Sequence, residues 1–82
     1  MKAKEMFERL DYHLVEDNID YRTVYKRGIR PRPEQNNDAL PKKITFWHEL
    51  KSFSLEYGRK GSYLYYDLLK AINKQTKELG WK

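Results

Sequence analysis

The sequence predicts an α+β fold: an N-terminal helix, a four-stranded antiparallel meander of two hairpins, and a C-terminal helix, with both helices on one sheet face. Three observations predict it. Apolar residues recur at helical spacing at both ends of the chain. The stretches between them alternate apolar and polar residues. Turn-forming residues divide those stretches into four. A chain of 82 residues makes a single domain. Only 39% of it is apolar but 15% is aromatic. Its core must therefore be built from a few large rings, each able to bury roughly 150–250 Å².

Residues 2–10 read KAKEMFERL, with Ala3, Met6, Phe7 and Leu10 at i, i+3, i+4 and i+7. Lys4, Glu5, Glu8 and Arg9 take the other side. So short a helix is marginal alone in water and has to dock to persist. In residues 12–16, Tyr12 and Leu14 alternate with His13 and Val15, and Asp17-Asn18 signals a turn. Residues 19–26 place Ile19, Tyr21, Thr23 and Tyr25 on one side and Asp20, Arg22, Val24 and Lys26 on the other. That parity sends Tyr21 and Tyr25 into the core and Arg22 and Lys26 to the polar face.

Residues 28–41, GIRPRPEQNNDALP, hold three prolines and read as a flexible loop. A second hairpin follows over 42–47 and 51–57, connected near His48 to Leu50. Residues 58–61, GRKG, form a basic turn, and 62–66, SYLYY, extend the sheet or enter the last helix. Asp67 suits the N-cap of that helix. Leu68, Leu69, Ile72, Thr76 and Leu79 give its buried stripe, and Lys70, Lys74 and Lys77 its wet face. Gly80 is placed to end it in the left-handed conformation, so that Trp81 folds back as a lid.

The ends carry a likeness. The opening K-A-K-E-M-F-E-R-L-D-Y (Lys2 to Tyr12) and the closing A-I-N-K-Q-T-K-E-L-G-W (Ala71 to Trp81) resemble small uncharacterised phage and prophage proteins of Gram-positive bacteria. Those open with a KAKEMFE-x-LGY type sequence, close with an AINKQ-x-KELGW type sequence, and carry an I-T-F segment such as Ile44 to Phe46 between. Asp11 stands where their pattern has glycine, and the proline-rich loop departs from it. The resemblance implies a compact α+β fold and a mobile-element origin. It supplies no catalytic residue. The matching positions Met6, Phe7, Leu10, Ile72, Leu79 and Trp81 read as structural.

Chemistry-bearing patterns are sparse. There is no cysteine, which fits a reducing cytoplasm and removes thiolate chemistry. No run of about eighteen apolar residues spans a membrane, and the first twenty residues lack a signal-peptide hydrophobic stretch. His13 and His48 find no companions to complete a three- or four-ligand metal set. Glu16, Asp17 and Asp20 read as solvated turn acids, and GRKG lacks the strand–loop–helix setting of a phosphate cradle. The expectation is a cytoplasmic, non-enzymatic protein with no catalytic residue, metal or cofactor, a monomer or weak homodimer.

Charge is uneven. Residues 1–21 carry three basic and six acidic groups, residues 22–43 seven and two, and residues 44–82 seven and four. The middle segment alone equals the chain's net charge of +5. Its cations, Arg22, Lys26, Arg27, Arg30, Arg32, Lys42 and Lys43, form the candidate surface. Two partners fit it. The leading expectation is a protein partner, for which the surplus rings Trp47, Tyr57, Tyr63, Tyr65 and Tyr66 would serve as anchors unless they fill the core. The alternative is nucleic acid, which needs cations on a shared surface and rings that stack on bases. Burial of Tyr21 and Tyr25 counts against that alternative.

Overall fold

The computed structural model describes residues 1–28, 40–57 and 64–81. Helix α1 (Ala3–Arg9) is followed by strands β1 (Tyr12–Asn18), β2 (Arg22–Arg27), β3 (Lys43–Trp47) and β4 (Ser52–Glu56), then by helix α2 (Tyr66–Glu78). The strands form one antiparallel sheet in the order β1-β2-β3-β4. This is the α+β meander that the sequence predicts.

Both helices dock on one face. Ala3 and Phe7 from α1 and Leu68, Ala71 and Ile72 from α2 join Tyr12, Tyr25, Ile44 and Phe46 of the sheet in one buried cluster. Phe7 is its hub. Its ring stacks on Tyr25 with centroids 4.1 Å apart and meets Tyr12 and Phe46 edge-on at 6.3 and 6.1 Å. Two buried tyrosine hydroxyls are satisfied within the fold. Tyr12 donates to the Pro41 carbonyl at 2.7 Å and Tyr25 to the Gln75 side-chain oxygen at 2.7 Å. Burial pushes both phenols up, from 10.0 to about 12.

The helices run antiparallel and share their end groups. No side chain of its own caps α1. Glu78, the last residue of α2, accepts a hydrogen bond from the Ala3 N–H at 2.7 Å. Both helices stop on a left-handed residue, Asp11 at φ 67° and Gly80 at φ 76°. The Asp11 N–H bonds the Glu8 carbonyl, and the Gly80 and Trp81 N–H groups bond those of Lys77 and Thr76. The second pair is a Schellman closure, and it turns Trp81 back against Phe46 at 6.1 Å.

Several local expectations change. Asp17 and Asn18 belong to β1, and the first turn lies at 19–21. Asn18 still initiates it, because its side-chain oxygen accepts the Asp20 N–H at 3.0 Å. Ile19 and Tyr21 are therefore exposed turn residues rather than core. Tyr65, not Asp67, is the N-cap of α2, and Asp67 pairs with Lys70 at 3.6 Å. Tyr65 and Tyr66 are exposed rather than buried. Ala71 and Gln75 join Leu68 and Ile72 on the buried stripe, whereas Leu69 and Thr76 stay half-buried. Tyr63 and the basic turn at 58–61 lie outside the described residues, as do residues 29–39 of the loop.

Candidate functional site

The register fixes which side chains share the sheet face opposite the helices. Paired residues of antiparallel strands point the same way. Three rows therefore cross the sheet: His13, Lys26, Lys43 and Glu56; then Glu16, Val24, Thr45 and Ser54; then Asn18, Arg22, Trp47 and Ser52. No described helix lies on this face. Val24 and Thr45 at its centre are nonetheless buried.

The row of His13, Lys26 and Lys43 is the cationic one. Lys26 and Lys43 are direct cross-strand partners on the two central strands. Like charges in that position repel and destabilise a sheet. Lys26 is exposed and Lys43 half-exposed. On the outer strands, His13 lies beside Lys26 and Glu56 beside Lys43. His13 also approaches Asp11, with Nε2 3.3 Å from Oδ1.

The row of Arg22 and Trp47 is the aromatic one. The Arg22 guanidinium carbon lies 5.1 Å from the Tyr21 ring centre and 5.5 Å from that of Trp47. The two rings meet edge-on with centroids 5.6 Å apart. Glu16 holds the guanidinium in place, accepting from Nε at 2.6 Å and from a terminal nitrogen at 3.1 Å. The hydrogen bond from Arg22 holds the Glu16 carboxyl below its ordinary range and raises Arg22 in turn. Trp47 donates its indole N–H to the Ser54 hydroxyl at 3.1 Å.

A β-bulge makes this arrangement. The β1–β2 register shifts between Leu14 and Glu16. The extra residue, Val15, turns Glu16 from the helix side to the open face, where it meets Arg22. Regular alternation from Leu14 would aim Glu16 at the core.

The predicted cations do not all share one surface. Arg22, Lys26 and Lys43 come together on the open face. Arg27 pairs with Tyr12, so it points to the helix side, where it donates to the Leu40 carbonyl at 3.2 Å. Lys42 is exposed just before β3. Arg30 and Arg32 lie outside the described residues. Tyr21 is the site residue that strand parity assigned to the core, and Trp47 was read only among the surplus rings. A turn two residues later than Asp17-Asn18 puts Tyr21 on the surface, and the pairing of Arg22 with Trp47 completes the group.

One polar chain lies on the helix side. The Thr23 hydroxyl donates to Asp17 at 3.0 Å, and His48 Nε2 sits 2.9 Å from the same oxygen. Thr23 has one proton and gives it to the carboxylate, so His48 Nε2 carries hydrogen and donates to Thr23. His48 cannot then act as the base for Thr23. The chain has the chemistry of a structural tie between the two hairpins. Trp81 packs edge-on against His48 at 6.2 Å. Among the described residues no group of three potential metal ligands gathers, and no helix is long and apolar enough to cross a membrane.

Comparison with protein-family models, with curated proteins and with solved structures finds no match.

Proposed function

We propose that this chain is a binding module rather than a catalyst, and that the sheet face opposite the helices binds nucleic acid. The observation that carries this is the direct pairing of Lys26 with Lys43 on the same face as the Tyr21–Arg22–Trp47 group. The pair sets two like charges side by side, with Glu56 beside only Lys43, an arrangement that favours an anion placed across it. Of the two tyrosines whose burial spoke against this partner, Tyr25 is buried but Tyr21 is 53% exposed. The terminal sequences that resemble phage and prophage proteins give the module the setting of a mobile-element accessory protein.

Binding to phosphates releases condensed counterions, so affinity falls steeply with salt. A fluorescence anisotropy titration with labelled oligonucleotides across a salt series tests the proposal. Each lysine that contacts a phosphate adds roughly 0.7 to the log–log salt slope on a single strand. Lys26→Gln and Lys43→Gln are each expected to weaken binding and lower that slope. Flat traces at low salt would eliminate the proposal.

A protein partner is the second reading. Exposed Leu50, Phe53, Tyr65 and Tyr66 favour it. These side chains lie off the open face, so pull-down with Tyr65→Ala and Phe53→Ser variants separates the two readings.

A further inference from the structure

We infer that the ligand of the open face is a single strand, held by base stacking at the Tyr21–Arg22–Trp47 group and by a phosphate at the Lys26–Lys43 pair. This rests on the nucleic-acid reading above and specifies its substrate class.

Three features argue for a single strand. The first is width. Four strands spaced at about 4.8 Å present a face wider than the roughly 12 Å major groove, which admits a helix or a two-stranded ribbon. A four-stranded face of this width cannot enter that groove to reach base edges; it can receive bases that are already unstacked. The second is the state of Arg22. Its guanidinium is bonded through two nitrogens to Glu16 and faces two rings. Its charge is already neutralised locally, and Glu16 holds it as a flat surface. Rings and guanidinium planes of this kind stack on bases of any sequence. Tyr21 is the most exposed member and the natural first contact.

The third is spacing. Arg22 and Lys26 are four residues apart on one strand, and Trp47 and Lys43 are four apart on its neighbour. At about 3.3 Å per residue the stacking group and the lysine pair are roughly 13 Å apart. Buried Val24 and Thr45 and the exposed Ser54 lie in the row between. A strand lying along β2 and β3 spans this distance with a footprint of about four nucleotides, at the small end of the range for sheet-based single-strand binders.

The test compares labelled oligothymidylates of increasing length with a duplex of mixed sequence, on the full chain. The expected result is affinity that rises with length and levels off near about four to six nucleotides, with the duplex bound much more weakly. Tyr21→Ala lies in a surface turn and is expected to weaken single-strand binding about fivefold or more without changing the salt slope. Lys26→Gln is expected to change both. Equal affinity for duplex and single strand, with Tyr21→Ala silent and Lys26→Gln still weakening, would overturn the stacking inference and leave the charge-based reading standing. No binding by any oligonucleotide at low salt would overturn both.

Discussion

Single residues in this fold are placed by backbone needs as much as by side-chain chemistry. Asp11 ends α1 at φ 67°, a conformation costing a side-chain-bearing residue roughly 1 kcal/mol relative to glycine. Asp11→Gly is expected to raise stability by about 0.5–1 kcal/mol in urea unfolding, less the loss of its weak contact with His13. Gly80 presents the converse case. A Cβ there would meet nothing within 4 Å, yet φ is 76°, so Gly80→Ala is expected to cost about 1 kcal/mol through the backbone alone. The lysine pair gives a sharper contrast. Lys43→Gln removes a like-charge repulsion across the sheet, so the melting temperature is expected to hold or rise while oligonucleotide affinity falls. A structural role for Lys43 would lower both together.

At the scale of elements, α1 has only seven residues and depends on its docked face. Phe7 is fully buried and touches three other rings. Phe7→Ala is expected to cost roughly 3–5 kcal/mol and to unfold much of the population, because the cavity lies at the centre of a small core. Thermal melting followed by circular dichroism reads this directly. The helical stripes, the two hairpins and the Gly80 closure were legible in sequence because each rests on a local period or a single backbone requirement. The bulge at Val15 was not, since Tyr12 and Leu14 alternate regularly with His13 and Val15, and only the pairing with β2 reveals the extra residue. The exposure of Tyr21 follows from the same limit: Asp17 and Asn18 are good turn formers, and only Asn18 acts on the turn. The cap supplied to α1 by Glu78 joins residues 75 apart and left no trace in local sequence.

For the whole molecule, the helices and the sheet divide structure from proposed function. One face holds the ring core, and the other holds charge and exposed aromatics. The core makes its own prediction about pH. Tyr12 and Tyr25 have folded pKa values of about 12 against 10.0 when exposed. The neutral phenol is therefore favoured by folding, and the stability tied to it is complete below pH 10. It declines as pH rises from 10 to 12, by about 2–3 kcal/mol per ring at most. Ultraviolet titration is expected to show the tyrosinates of Tyr12 and Tyr25 appearing only as the fold is lost. Acid is expected to act on the other face. The Glu16–Arg22 pair is lost as pH falls through the lowered pKa of Glu16.

The open face as the binding surface is tested most directly by amide NMR titration of the chain with a short oligothymidylate. Shift changes concentrated at Arg22, Val24, Lys26, Lys43, Thr45 and the Trp47 indole are the predicted result. Changes confined to α2, around Lys70, Lys74 and Lys77, or an unchanged spectrum at saturating oligonucleotide, would contradict it.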